Sequence, residues 1–128
     1  MRLIIILCFF IIAWDLFWYG MGVKSVFPWQ LKKWLRSGKR DVTLLDVRSE
    51  FEYNWFHIEG AESRPDIAYA IKNFENIDSA KPIVVICMTG HRSPIVVHRL
   101  KKHGFENVYN LLWGMWAWRL FGGKTSKK

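Results

Sequence analysis

The hydrophobic residues of this 128-residue chain fall into two kinds of pattern. Residues 3–13 form one unbroken apolar run near the N-terminus, which indicates a helix that is apolar on every side. Three shorter runs, residues 42–45, 83–86 and 108–112, have the length of strands and are mostly apolar throughout. Runs of this kind are typical of strands in a parallel sheet whose two faces are both covered.

Helices are predicted between these strands. Pro28 suits the first turn of a helix that ends at Ser37-Gly38. Its predicted inward residues are Trp29, Leu31, Trp34 and Leu35. Ser49 is the predicted N-cap of a second helix starting at Glu50, and Asp66 that of a third over residues 67–74. Ser93, followed by Pro94, is the predicted N-cap of a fourth helix that stops at Gly104, and a closing helix covers residues 113–121.

The order of strands and helices predicts an α/β domain with a mostly parallel sheet and helices on both of its faces. The length leaves room for one such domain. We assign it to residues 23–123, preceded by a membrane anchor over residues 1–22 and followed by a basic tail over residues 124–128.

The N-terminal apolar segment has three interpretations. As a helix, residues 3–19 would extend about 26 Å, slightly less than a hydrocarbon core of about 30 Å. A cleavable signal peptide is the second, but Gly20-Met21-Gly22 is a poor cleavage site. A buried helix of the domain is the third, and we set it aside because a helix that is apolar on every side would have nothing to pack against. We expect an uncleaved, single-pass membrane anchor.

The charge distribution bears on orientation and partners. The net charge is +8, and only Arg2 and the terminal amine precede the apolar run. The cations that follow it are Lys24, Lys32, Lys33, Arg36, Lys39 and Arg40. By the positive-inside rule they keep the domain in the cytoplasm. They also suit a solvated surface or a patch for anionic membrane lipid. No nucleic-acid-binding motif accompanies them, so we expect no nucleic-acid partner.

The cysteine count points to one reactive thiol. Cys8 and Cys87 lie in segments of different kinds, which excludes a disulfide framework and a Cys-x-x-Cys redox pair. The histidines lack convincing metal spacing, so we expect no metal and no cofactor. Cys87 directly follows the predicted strand at 83–86 and precedes a helix N-terminus. Unpaired backbone amides there favour an anion, so we expect them, with Arg92, to favour a nucleophilic thiolate.

The loop that holds this cysteine, Cys87-Met88-Thr89-Gly90-His91-Arg92-Ser93, resembles the Cys-x-x-Gly-x-Arg-Ser active loop of the rhodanese (thiosulfate sulfurtransferase) family. Three further segments are similar to family segments and stand in the expected order. They are Leu44-Leu45-Asp46-Val47-Arg48, then Glu52-Tyr53 with His57-Ile58-Glu59-Gly60-Ala61, and finally Gly104-Phe105-Glu106-Asn107-Val108-Tyr109-Asn110-Leu111 with Gly114 and Trp118. The resemblance covers roughly residues 26–123 and gives the same α/β architecture.

The resemblance implies a sulfurtransferase. On this interpretation Cys87 thiolate takes the outer sulfur of an anionic donor such as thiosulfate, becomes a persulfide, and passes the sulfur to cyanide, a small thiol or a protein thiol. We expect Arg92 to contact donor oxygens, because its guanidinium can bind two at once. Gly90 lets the loop close without a Cβ. The predicted substrate-binding residues are Met88, Thr89, Gly90, His91, Arg92 and Ser93.

Other matched residues have predicted structural roles near the site. Asp46 and Cys87 end parallel strands, so we expect them at the same edge of the sheet. Asp46 and Arg48 are interpreted as a buried polar pair that ties loops together, and His57 as a core histidine with satisfied hydrogen bonds. Arg64 is either a surface arginine or a substrate-side difference at the mouth of the pocket.

The chain departs from the family pattern at two positions. Phe56 replaces the usual glycine before His-Ile, where a positive φ would be strained for phenylalanine. Trp113 replaces the first of two glycines. The aromatic residues that follow either pack a closing helix on the sheet or place Trp113, Trp116 and Phe121 in the bilayer interface. The second interpretation is helped by Lys124, Lys127 and Lys128.

Two other functions remain open. Phosphatases and arsenate reductases of related fold use Cys-x5-Arg, whereas Cys87 and Arg92 give Cys-x4-Arg, and the shorter loop suits one sulfur atom better than a tetrahedral anion. A catalytically idle rhodanese-like module that recruits a partner to the membrane is the other alternative. The retained Cys87, Gly90 and Arg92 argue against it.

Overall fold

The computed structural model describes residues 1–37, 41–69 and 76–127. Its helices are α1 (Arg2–Gly20), α2 (Pro28–Ser37), α3 (Glu50–Trp55), α4 (Pro65–Tyr69), α5 (Ser93–Lys102) and α6 (Gly114–Leu120). Its strands are β1 (Lys24–Val26), β2 (Thr43–Asp46), β3 (His57–Ile58), β4 (Glu62–Ser63), β5 (Ile83–Ile86), β6 (Val108–Leu111) and β7 (Thr125–Ser126). The helix predicted over residues 67–74 is described as α4 up to Tyr69, and its remainder lies outside the described residues.

Five strands form one sheet in the order β1-β6-β5-β2-β4, and every neighbouring pair is parallel. The predicted α/β class is therefore confirmed. β5 lies in the middle, and all four of its residues are buried. The predicted basic tail also takes part in the fold, since β7 pairs antiparallel with β3.

Alternate residues of β5 face two separate hydrophobic cores. Ile83 and Val85 belong to one core, which also takes side chains from α4 and α5. Val84 and Ile86 belong to the other, which takes side chains from α2 and α6. Complete burial of each such side chain stabilises the fold by about 1.5–3 kcal/mol. This two-sided packing explains why the strand is apolar at every position.

The last turns of α1 contact the domain, which the sequence interpretation did not foresee. Trp18 packs against the core that includes α5, and its ring centroid lies 5.7 Å from that of His98. The backbone N–H of Val23 donates to the carbonyl of Trp18 at 2.9 Å. Residues 3–12 are exposed. The helix therefore has an exposed apolar part and a docked part.

The predicted inward face of α2 is partly wrong. Leu31 is buried, but Trp29 and Leu35 are exposed. A helix of this length buries only a narrow stripe against a sheet. Trp29 instead stacks on Phe27 with ring centroids 4.7 Å apart, and meets Phe121 edge-on at 5.2 Å.

Candidate active site

Cys87 lies directly after β5, at the middle of the carboxyl edge of the sheet, and is completely buried. The backbone N–H of Gly90 donates to Cys87 Sγ at an N···S distance of 2.9 Å. The loop can turn back on the sulfur because Gly90 adopts a φ of +82°, a conformation that side chains rarely permit. The thiol is therefore held inside its own loop by a backbone donor, and a donor of this kind stabilises negative charge on sulfur.

The outer side of this loop is fixed by the start of α6. The N–H of Met115 donates to the carbonyl of Cys87 at 3.0 Å, and the N–H of Trp116 donates to the carbonyl of Met88 at 3.1 Å. Gly114 has a φ of +60°, and a Cβ there would collide with the Cys87 carbonyl. These two carbonyls thus accept from α6, while the Gly90 N–H donates to the sulfur.

Ser93 does not cap α5 as predicted. The N-cap is Arg92, and the Ser93 side chain is buried instead. Its Oγ lies 3.4 Å from Cys87 Sγ and forms a short hydrogen bond with Asn110 Oδ1. Because the hydroxyl carries one proton, it donates to the amide oxygen or to the sulfur, not to both. The prediction failed because the hydroxyl has better partners inside the fold than at the helix end.

Asn110 lies in a segment that resembles the family, but no role near the site was predicted for its side chain. It is buried in β6, and its Nδ2 lies 3.4 Å from Ser25 Oγ on β1. Buried amides need hydrogen-bond partners. The sequence signal that could have identified Asn110 is its position as a polar residue inside the otherwise apolar run at 108–112.

Asp46 and Arg48 form a completely buried ion pair, with 2.7 Å between Arg48 Nη2 and Asp46 Oδ2. The same nitrogen donates to the Phe56 carbonyl at 2.6 Å. This bond fixes the chain at the position where the family pattern has glycine. Phe56 has an extended φ of −166°, so the strain predicted there is absent. Within the described ranges, the non-glycine residue at positive φ is Trp113, at 59°.

The remaining predicted residues surround the loop. His91 Nδ1 lies 2.8 Å from Thr89 Oγ1, and Met88 Sδ lies 4.0 Å from Arg48 Nη1. His57 is buried, with Nδ1 2.8 Å from the Tyr53 carbonyl. These contacts place the loop, the buried pair and the β3 segment at one side of the molecule.

Arg64 is mostly buried and paired. Its Nε lies 3.1 Å from Asp66 Oδ1, and its backbone N–H donates to the Asp46 carbonyl at 2.8 Å. The hydrogen bond to Asp66 raises the pKa of Arg64, so its charge is secure. The residue therefore ties β4 and α4 to the end of β2.

Arg92 is turned outward, toward α3. Its side chain is 53 % exposed, and its Nη2 lies 3.5 Å from Glu52 Oε2. Burial raises the pKa of Glu52, but the hydrogen bonds from Ser49 and the charge of Arg92 outweigh burial, so that the pKa is lowered overall. Ser49 and Glu52 form a complete capping box on α3, as the predicted N-cap requires.

An apolar groove adjoins the thiol loop. It is lined by Trp55, Phe56, Met88, Trp113, Trp116 and Phe121, among others. The side chains of Met88 and Phe56 join it to the buried Asp46–Arg48 pair: Met88 Sδ lies 4.0 Å from Arg48 Nη1, and the Phe56 ring centroid lies 5.3 Å from the Arg48 guanidinium carbon. Among the residues that the structure describes, no three His, Cys, Asp or Glu side chains cluster as metal ligands would.

The fold and site together define a parallel α/β domain with a thiol that accepts a backbone hydrogen bond from its own loop, at the carboxyl end of the central strand. Residues 28–120 match the model of the rhodanese-like domain. The chain belongs to the rhodanese-like family, as the motifs predicted.

Named relatives include sulfurtransferases. Thiosulfate sulfurtransferase GlpE of Coxiella burnetii is 34 % identical over 89 residues, which cover 70 % of this chain and 82 % of GlpE. The probable adenylyltransferase/sulfurtransferase MoeZ of Mycobacterium tuberculosis is 32 % identical over 95 residues. The match covers 73 % of this chain but only 24 % of the length of MoeZ. These relatives support sulfur transfer at the level of the family.

Solved structures agree on the fold. The crystal structure of a rhodanese-related protein from Thermoplasma volcanium superposes with a TM-score of 0.73 at 25 % sequence identity, over 82 % of this chain and 99 % of that chain. In addition, α1 is long and apolar enough to cross a membrane, a property that signal sequences share.

Proposed function

We propose that this protein is a membrane-anchored sulfurtransferase in which Cys87 carries the transferred sulfur as a persulfide. The observation that carries the proposal is the 2.9 Å contact from the Gly90 N–H to Cys87 Sγ inside a closed loop. A thiolate held by backbone donors is a nucleophile that needs no metal or cofactor. The relatives named as sulfurtransferases support the same reaction class.

The reaction has two half-reactions on one sulfur atom. The Cys87 thiolate attacks the outer sulfur of thiosulfate, the S–S bond of the donor breaks, and sulfite leaves with the bonding electron pair. The product is a Cys87 persulfide anion. Cyanide or a thiolate then attacks the terminal sulfur, and the Cys87 thiolate is the leaving group. Such a sequence predicts ping-pong kinetics.

The loop residues have separate roles in this scheme. The amides of residues 88–93 bind the persulfide anion; the Gly90 N–H, which already donates to Cys87 Sγ, supports this role. Arg92 binds donor oxygens. Its contact with Glu52, at 3.5 Å, is exposed, and exposed ion pairs contribute little stability. A doubly charged donor can therefore replace Glu52 as the partner of Arg92 with little loss of folding free energy. Met88, Thr89 and His91 shape the entrance to the loop. Ser93 contacts the sulfur through its hydroxyl, 3.4 Å from Cys87 Sγ.

The membrane part of the proposal rests on α1. We propose that this helix is a single uncleaved anchor in contact with membrane lipid, and that the domain faces the cytoplasm because cations follow the helix. The partners are then a small anionic sulfur donor and an acceptor that is cyanide, a small thiol or a protein thiol.

The test is the mass of the full-length protein, purified in detergent and incubated with thiosulfate. We expect a gain of one sulfur atom, lost on addition of cyanide, present in Cys8→Ser and absent in Cys87→Ser. Absence of sulfur uptake in the unmodified chain would favour the idle module. Hydrolysis of a phosphate ester without sulfur uptake would favour the phosphatase.

A further inference from the structure

The docked part of α1 runs side by side with α5, in the same direction. Trp14 Nε1 donates to the His91 carbonyl at 3.1 Å, before α5 begins. Further along, Trp18 meets His98, and Lys101 Nζ donates to the Gly22 carbonyl at 2.6 Å. Since α5 starts at the carboxyl edge of the sheet, the docked part of α1 also runs from the carboxyl edge toward the opposite edge. Its exposed residues 3–12 therefore project beyond the edge where Cys87 lies.

No spacer separates the exposed part of α1 from the thiol loop. Residues 3–12 make up about ten helical residues, or about 15 Å at 1.5 Å per residue. That length is about half of a hydrocarbon core of about 30 Å. If this part of the helix enters a membrane while the last turns stay docked, the carboxyl edge of the sheet comes to the level of the lipid headgroups.

The same edge carries a continuous set of exposed apolar side chains, which we call the aromatic rim. Its members are 42 % to 81 % exposed. They are Phe51, Trp55, Trp113, Trp116, Leu120 and Phe121. They stand on α3, which follows β2, and on α6 with its flanking turns, which follows β6. The rim thus flanks the thiol loop after β5. Exposed apolar patches mark interaction sites, and tryptophan is enriched at membrane interfaces.

The rim is bonded directly to α1. Trp113 Nε1 lies 3.3 Å from Asp15 Oδ2, one residue beyond Trp14. Trp113 holds the left-handed conformation, φ 59°, which is unfavourable for a bulky residue. The fold therefore keeps a strained residue whose indole joins the rim to the helix.

Charges of both signs border the rim. Arg92 and Arg119 are exposed, and the Arg119 guanidinium lies 4.7 Å from the centre of the Phe56 ring in the groove. Glu50 and Glu52 flank Phe51 on α3, and Asp15 contacts Trp113. Cations near an anionic leaflet strengthen attachment, and aromatic side chains with a polar edge suit the headgroup region.

We propose that the carboxyl edge of the sheet is seated on the bilayer interface, with the aromatic rim among the lipid headgroups and the entrance to Cys87 at the membrane surface. This inference rests on the anchor in the proposed function and narrows it: residues 3–12 enter one leaflet, and α1 does not cross the whole bilayer while its last turns stay docked on the domain. The partner of the aromatic rim is the lipid surface of the leaflet that α1 enters. The direction of α1 along α5 and its bond to Trp113 carry the inference.

The test places one fluorophore on the rim of the full-length chain. In a Cys8→Ser, Cys87→Ser background, Leu120→Cys is labelled with nitrobenzoxadiazole and reconstituted into phosphatidylcholine–phosphatidylglycerol vesicles. Glu106→Cys is the matched control, since Glu106 is exposed in the turn between α5 and β6, at the opposite edge of the sheet. We expect brominated lipids to quench most of the emission at position 120 and to leave position 106 unchanged. Trp116→Glu should abolish the quenching at position 120.

Three results would overturn the inference in distinguishable ways. If the protein floats with vesicles but position 120 is unquenched, the anchor stands and the seated edge is wrong. If position 120 is unquenched and crosslinks to a second copy, the rim is a dimer interface. If the protein does not float, the anchor fails, and the seated edge with it. Sulfur uptake on Cys87 is measured separately and is independent of all three.

Discussion

Gly90 and Trp113 meet backbone to backbone beside the thiol: a Cβ placed on Gly90 would lie 2.5 Å from the Trp113 nitrogen. Both residues have positive φ, +82° and +59°. The thiol loop and the turn before α6 are thus fitted to one another. The direction of the Gly90 N–H toward Cys87 Sγ depends on this fit.

Gly90→Ala should therefore abolish sulfur uptake and destabilise the protein by several kcal/mol, because the new methyl meets backbone that cannot turn away. Gly60→Ala is the control, since Gly60 has φ +88° but no neighbour within 4 Å of an added Cβ. We expect it to keep activity and to lose about 1–2 kcal/mol from strain alone. Mass spectrometry and thermal unfolding in detergent measure both effects. Equal losses in the two variants would refute the close fit.

The strain at Trp113 can be measured by two substitutions at one position. Trp113→Ala removes the indole and keeps a side chain at positive φ, whereas Trp113→Gly removes both. We expect Trp113→Gly to be more stable than Trp113→Ala by about 1 kcal/mol, because glycine tolerates this conformation. Denaturant unfolding gives the difference. If the alanine variant were the more stable of the two, the left-handed assignment would be wrong.

The buried pair of Asp46 and Arg48 should matter far more than an exposed pair. Asp46→Asn leaves the Arg48 charge without its carboxylate, and we expect a loss of about 3–5 kcal/mol. Asp41→Asn is the control, since Asp41 and Lys81 form an exposed pair at 2.8 Å, and we expect almost no change. Urea unfolding of both variants makes the comparison. A small loss for Asp46→Asn would mean that Arg48 finds other acceptors.

Ser93 and Asn110 should behave as a coupled pair. Ser93→Ala leaves Asn110 Oδ1 without its hydroxyl donor, and we expect a loss of about 1–3 kcal/mol. Asn110→Ala should cost a similar amount, and the double variant less than the sum of the two. The cycle is measured by equilibrium unfolding. Strict additivity would show that the two side chains do not interact.

Stability should fall at acid pH through Glu52, whose pKa is lowered in the folded protein. The free Glu pKa is about 4.3. Since the folded pKa is the lower of the two, the contribution of Glu52 is present above the free value and is lost as pH falls through the folded one. Glu52→Gln should be less stable than the unmodified chain at pH 7, and the difference should shrink at acid pH. Ser49→Ala should weaken this pH dependence, because it removes the hydrogen bond from the Ser49 hydroxyl to the Glu52 carboxylate and leaves only the one from the Ser49 backbone N–H. If the stability difference between Glu52→Gln and the unmodified chain did not change with pH, Glu52 would not be a source of the acid sensitivity.

Much of the fold was predictable because the relevant forces are local or follow a repeating pattern. The apolar run Ile83–Ile86 predicted a strand covered on both faces, and β5 is buried at every residue. The Ser49 cap was predicted because its partner, Glu52, is three residues away. By contrast, Ser93 was mistaken for a cap because its partner Asn110 lies 17 residues further on.

The amino-acid order alone predicts the α/β class, the rhodanese-like motifs and the position of the candidate cysteine directly after a strand, since each depends on residue type and on spacing along the chain. Tertiary structure decided the rest. It turned Ser93 inward, moved the backbone strain from Phe56 to Trp113, and docked the end of α1 beside the thiol loop. Those outcomes depend on which distant segments share space in the folded molecule, and a one-dimensional pattern does not contain that information.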